Sequence, residues 1–146
     1  MPEQRLRDDR DERPARTAPP LFAEFSPLRK VLTVIGAPLL FGVIAAFTLV
    51  WWTPAWWTWQ GIGILGAVVG GYEHLRLWPA ALRGVGGGLV AATAIVGLRA
   101  VLPGEDVTDF DPTSFPITAV VASAILHAGG ALLRRRRRDA RPVPAE

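Results

Sequence analysis

RKVLTVIGAPLLFGVIAAFTLVWWTPAWWTWQ, residues 29–60, is the stretch whose reading decides the fold. Two cations, Arg29 and Lys30, precede an apolar run from Val31 to Trp52. A break of Thr53, Pro54 and Ala55 follows, and then Trp56, Trp57 and Trp59. A hydrocarbon core about 30 Å thick needs roughly 20 apolar residues of helix, and the run meets that requirement. The break is short enough to force the next helix back alongside the first. Trp51, Trp52, Trp56, Trp57 and Trp59 cluster at this turn, where amphipathic rings favour the membrane–water boundary. An aromatic binding platform is the alternative use of the same rings, ranked behind the interfacial belt. Pro38 removes one backbone hydrogen bond inside the first helix, so a kink is expected there, as membrane helices tolerate.

Three further apolar stretches lie outward from this hairpin, at Trp56–Tyr72, Val85–Leu102 and Ile117–Leu133. The predicted fold is therefore all-α, an integral membrane bundle of four transmembrane helices over about 31–52, 56–77, 85–102 and 117–133. Helix two is expected to run past Glu73, His74 and Arg76, with Pro79 as its stop and Arg76 snorkelling to the headgroups. A turn over 79–84 then carries Arg83. Residues 21–133 form the membrane domain. Within it, Leu21, Phe22, Phe25 and Leu28 recur at helical spacing and form either a short interfacial helix or an irregular tether. Residues 1–20 are too charged and Pro-rich to offset their ordering entropy, so disorder is expected. The same is expected of the basic tail, 134–146.

Charge sets the orientation. The chain has 16 Lys and Arg residues. With the N-terminus inside, every one of them except Arg99 falls on the cytoplasmic side, as the positive-inside rule requires. The loop Pro103–Pro116 carries Glu105, Asp106, Asp109 and Asp111 and no basic residue, so it belongs outside. Both termini are expected in the cytoplasm, in a multi-pass protein of the cell membrane. The first apolar run is too long for a signal-peptide core and reads as a retained helix. Arg134, Arg135, Arg136, Arg137 and Arg138 act as an orientation signal and can also hold anionic lipid headgroups, at about 1 kcal/mol each. Arg99, one turn from Pro103, is expected to snorkel towards the acidic loop.

Small residues recur at helical spacing. Gly63, Ala67 and Gly71 share one face of helix two, with Gly66 and Gly70 beside it. Helix three has Gly84, Gly88 and Ala92, and helix four has Ala119, Ser123 and His127. Such spacing lets backbones approach closely where lipid supplies no hydrophobic drive. The contacts are expected within the bundle, or in a homo-oligomer or with a partner membrane subunit. Added bulk at Gly66, Gly70 or Gly88 is expected to separate the helices.

Polar chemistry is sparse. Cysteine is absent, which removes disulfides and thiol chemistry. No H-E-x-x-H, G-x-S-x-G, Walker or dinucleotide fingerprint occurs. The acidic loop does not match an EF-hand, so no metal or cofactor is expected. Nucleic acid is not an expected partner, because no aromatic residues interleave with the arginines. An ionisable group inside a membrane helix is a functional candidate by default. Glu73, His74, Ser123 and His127 thus form a candidate polar relay, with a Glu73–His127 contact at its centre. The structural alternative is a neutral His127 satisfied by Ser123, a backbone carbonyl or water. The expected role is a non-enzymatic accessory or scaffold component. A small proton or ion transporter or channel element using Glu73, His74 and His127 is the alternative, and an intramembrane enzyme ranks third.

Overall fold

The computed structural model describes residues 19–140, and these contain helices and no strand. Four long helices follow a short 3-10 turn at Phe22–Glu24: α1 (Pro27–Trp51), α2 (Thr53–Tyr72), α3 (Leu77–Arg99) and α4 (Phe115–Asp139). Of these, α1, α3 and α4 are long and apolar enough to cross a membrane. The disorder expected of residues 1–20 lies outside the described residues, apart from Pro19 and Pro20.

Local chemistry sets the helix ends. Ser26 caps α1, its hydroxyl accepting from the Arg29 backbone N–H at 3.3 Å, and Pro27 occupies the first turn, where no N–H partner is needed. The disturbance expected at Pro38 takes the form of a π turn over Leu32–Gly36, in which the Ala37 N–H reaches back to the Leu32 carbonyl. That turn absorbs the missing donor, and the helix continues. Trp52 is the extended residue (φ −162°, ψ 119°) on which the chain reverses into α2.

Three sequence-based boundaries need correction. Helix α2 ends at Tyr72 and does not continue to residue 77. Pro79 opens the next helix instead of stopping the previous one: it sits in the first turn of α3, whose N–H groups have no intrahelical partners. Arg83 therefore belongs to α3 and not to a turn. Helix α4 extends to Asp139, so Arg134–Arg138 are helical where a disordered tail was expected; residues 141–146 lie outside the described residues.

Helix α1 packs against α2 and α3, and α4 packs against α3 and α2. Helices α2 and α3 face each other across a diagonal with little contact, which leaves space at the centre. Glycines govern the close approaches. A Cβ on Gly84 would stand 2.5 Å from the Ser123 carbonyl, and one on Gly88 2.9 Å from the Val120 Cα, so α3 and α4 meet backbone to backbone. Gly71 meets the His127 carbonyl, and Gly130 the Val68 carbonyl, too closely for any side chain. Gly42 seats α1 on Ala91 of α3, and Gly63 receives the Phe41 ring. Ala92 is fully buried in α3, and Ala67 lines the central space. Gly66 departs from the expectation: it is exposed, and a Cβ there meets nothing.

The tryptophan end is solid. Trp56 is buried with Ala45, Leu49 and Ile95, and Val107, Phe110 and Phe115 close over them. The Val107 N–H donates to the Leu49 carbonyl at 2.8 Å, and the Thr53 hydroxyl to the Val107 carbonyl at 3.2 Å, tying the acidic loop to the hairpin. Trp51, Trp52 and Trp57 stay exposed, so the five rings divide between an outer belt and an inner core. Arg99 turns to the loop as expected, pairing with Asp106 and donating to the carbonyls of Leu102 (3.0 Å) and Gly104 (2.9 Å). Gly104, at φ 110°, supplies the left-handed turn that brings its carbonyl round.

Candidate functional site: a polar cluster at the end of a central cavity

The opposite, arginine-rich end holds the internal charges. Glu73 is the residue that ends α2, and its carboxylate accepts from Arg83 Nη1 of α3 at 2.5 Å. The same nitrogen donates to the Gly70 carbonyl at 3.0 Å. Arg83 crosses the gap between the two helices that otherwise barely touch. The N-terminal segment covers this pair. Phe22 places its ring under the Arg83 guanidinium at 4.6 Å, and its N–H donates to the Glu73 carbonyl at 3.0 Å. Arg134 of α4 donates to the carbonyls of Tyr72 and Pro19, both at 2.9 Å, and so ties the segment to the bundle.

The four expected relay residues are gathered here, without the expected Glu73–His127 contact at their centre. Glu73 pairs with Arg83, and among the described residues no hydrogen bond joins it to His127. His127 Nδ1 lies 2.9 Å from the Ser123 backbone carbonyl. A carbonyl only accepts, so Nδ1 carries the proton, and in the neutral ring Nε2 is left as an acceptor. Ser123 thus contributes its backbone and not its hydroxyl. His74 packs against Phe22 with ring centroids 5.0 Å apart, and its buried Nε2 has no partner among the described residues. Burial, followed by the Arg83 charge, lowers the His74 pKa from its ordinary value; the Glu73 charge opposes this, and His127 adds to it. At the other end, hydrogen bonds from Ser114 and Thr113 lower the pKa of Asp111.

The sequence reading missed Arg83, which it assigned to a turn. One signal was available: a half-buried carboxylate at the end of an apolar helix needs a cation, and Arg83 lies one helix away at the same depth. The reading also missed Phe22 as a cover, because spacing alone does not say what a short aromatic segment touches.

A cavity of about 530 Å³ runs from this cluster into the bundle, lined by all four helices. Its wall is mainly apolar, with Phe41, Trp59, Ala92, Ile95 and Phe115 towards the tryptophan end. Its polar lining residues are Thr33, Gln60, Glu73, Arg83, Ser123 and His127. Trp59 Nε1 donates to the Phe41 carbonyl at 2.9 Å, while the buried Gln60 side-chain nitrogen has no partner among the described residues. Among the described residues, no three His, Asp or Glu side chains converge as metal ligands. No family model, curated protein or solved structure matches this chain.

Proposed function

We propose that the chain is a four-span integral membrane protein of the cell membrane, with both termini cytoplasmic, acting as a non-enzymatic accessory or scaffold component. Helix α2, the span not supported by composition, has 20 residues and reaches about 30 Å at about 1.5 Å per residue, the thickness of a hydrocarbon core. It is held between α1 and α4, both apolar enough to span. The acidic loop and the Arg134–Arg138 run lie at opposite ends of α4, which supports the orientation.

The observation that carries the role is the one-sided placement of the internal charges. Glu73 and Arg83 neutralise each other at a single end, and beyond them towards the tryptophans Gln60 is the polar side chain in the cavity wall. A proton or ion path needs polar groups along its whole length. The exposed Arg135–Arg138 suit anionic headgroups, and the open face at Gly66 suits a second copy or a partner subunit.

Two measurements test this. Single cysteines placed at Thr53 and Thr108 should react with an impermeant thiol reagent outside intact cells, and one at Arg141 should not. Labelling of the tail without the loop would invert the orientation. Purified protein in liposomes should pass no protons under a pH gradient. Proton flux that Glu73→Gln abolishes, with folding intact, would replace the scaffold reading with the transporter.

A further inference from the structure

We propose that the central cavity is a binding site for a neutral, single-chain membrane amphiphile whose head is a hydroxyl, a long-chain alcohol in chemical class, entering sideways from the bilayer between α1 and α2. The inference goes beyond the scaffold role and rests on the membrane placement proposed above.

The route follows from how α1 and α2 diverge. They are joined at Trp52 and touch where Trp59 and Gly63 meet Phe41. Further from the hairpin, Leu40 of α1 and Gly66 and Val69 of α2 line the cavity and are also exposed on the outer surface. A lining residue that is also exposed marks an opening, and here it faces the lipid-facing side. Entry from the aqueous end is closed, because Phe22 lies over Arg83 and is bonded to Glu73.

The head position is defined by Gly70. A Cβ there would stand 3.1 Å from His127 Nε2 and 3.6 Å from Arg83 Nη2. Without a side chain at Gly70, one acceptor and one donor are left uncovered beside it at this end of the cavity, and the head meets them from the cavity side. His127 Nε2 is an acceptor because Nδ1 is committed to Ser123. Among the described residues Arg83 uses Nη1 for both of its hydrogen bonds, which leaves the Nη2 N–H groups without a protein acceptor there. A hydroxyl donates one bond and accepts others, and matches both partners at once. Glu73 and Arg83 are the charged residues of the wall and cancel, so a neutral head leaves the site neutral, whereas a carboxylate would bring an unbalanced charge into low dielectric.

The tail position follows from the remaining wall. Phe41, Ala67, Ala91 and Leu126, none of them fully buried, form the apolar wall beside the head. The volume falls within the roughly 300–1,000 Å³ typical of small-molecule sites.

The test uses the full chain in lipid nanodiscs and a hexadecanol carrying a photoactivatable diazirine on its tail. Crosslinks should map to Phe41, Ala67, Ala91 and Leu126, and unlabelled hexadecanol should compete them away. Gly70→Ala sets a methyl 3.1 Å from His127 Nε2, a tight contact that covers this acceptor, and should cut saturable labelling about tenfold, the scale of one lost hydrogen bond. His127→Leu should do the same. Gly97→Ala, on the exposed side of α3 and outside the cavity wall, should leave labelling unchanged. Labelling confined to outer residues, or not competed by hexadecanol, would overturn the site. Equal or stronger labelling by the matched diazirine palmitate would overturn the neutral head. The cysteine-accessibility map checks membrane placement separately, so a correct topology with no saturable labelling defeats this inference alone.

Discussion

Arg83 and Arg99 lie towards opposite ends of α3, and each pairs with an acid, but the two pairs do different work. Arg99 folds back onto the loop that follows its own helix, and its side chain and that of Asp106 are each 23% exposed. Arg83 reaches across to the end of α2, and its side chain is 9% exposed. The first pair organises a local turn over an end already filled by Trp56, Phe110 and Phe115. The second joins two helices that share little other contact, at an end that opens into a cavity. An ion pair beside a packed aromatic core is replaceable, whereas one that bridges a gap is structural.

The largest effect that can break this contrast lies in the helix crossing beneath Arg83. Gly71→Leu would drive a side chain into the His127 carbonyl, backbone that cannot move without shifting α4. A loss of more than about 3 kcal/mol is expected, at the upper end for overpacking, seen as unfolding or loss of monodisperse protein in detergent. Gly97→Leu, towards the tryptophan end of α3, meets open space and should change stability by no more than about 0.5 kcal/mol. Equal effects at the two glycines would mean that the α2–α4 crossing is not as close as described.

The ion pairs come next. Arg83→Met leaves the Glu73 carboxylate half-buried and unpaired, and should cost about 3 kcal/mol. Adding Glu73→Gln should recover a large part of that loss, because the charge without a partner is then gone. Asp106→Asn should cost about 1 kcal/mol or less, since its pair is more exposed. Thermal unfolding of the four proteins in one detergent measures all of these. Comparable losses at Arg83 and Asp106 would erase the distinction between the two ends.

These contrasts also show what was legible in the sequence. The apolar blocks, the hairpin at Thr53-Pro54-Ala55 and the turn of Arg99 towards the acidic loop could all be read, because each follows from local composition. Which face of each helix points inward could not. In a helix meant for lipid both faces are apolar, so hydrophobic periodicity carries little direction. Spacing offered Gly63, Ala67 and Gly71, and beside them Gly66 and Gly70, with no ground for choosing. The fold turns Gly70 inward and Gly66 outward. Pro79 misled for a related reason: proline marks a boundary, and the same residue type ends one helix or begins the next. The site suffered most, because Glu73 was matched to His127 by depth while its actual partner, Arg83, had been assigned to topology.

A smaller effect separates the tryptophans. Trp59→Phe keeps the ring packed near Phe41 and removes only the indole N–H that reaches the Phe41 carbonyl, so a loss of about 1 kcal/mol is expected. Trp57→Phe, on the exposed side of the same helix, should have no measurable effect on thermal unfolding. If Trp57 proved the more sensitive, the inner and outer assignment of the belt would be reversed.

The smallest expected effect is a pH dependence confined to the arginine-rich end. His74 is buried against Phe22, and burial, then Arg83, hold its pKa below the ordinary value of 6.5. When the covering segment is released or the chain unfolds, His74 regains an ordinary pKa and takes up a proton that the docked state refuses. Below about 6.5 the open state therefore binds more protons, so docking is strongest above that pH and weakens as pH falls towards the lowered value. Limited proteolysis after Phe22 or Phe25 should speed up between pH 7.5 and 5.5, while cleavage in the acidic loop should change less. His74→Asn should flatten the first dependence. If the slope persists in that variant, it belongs to another group at this end, and His74 is then a packing residue whose unpartnered nitrogen has no consequence for docking.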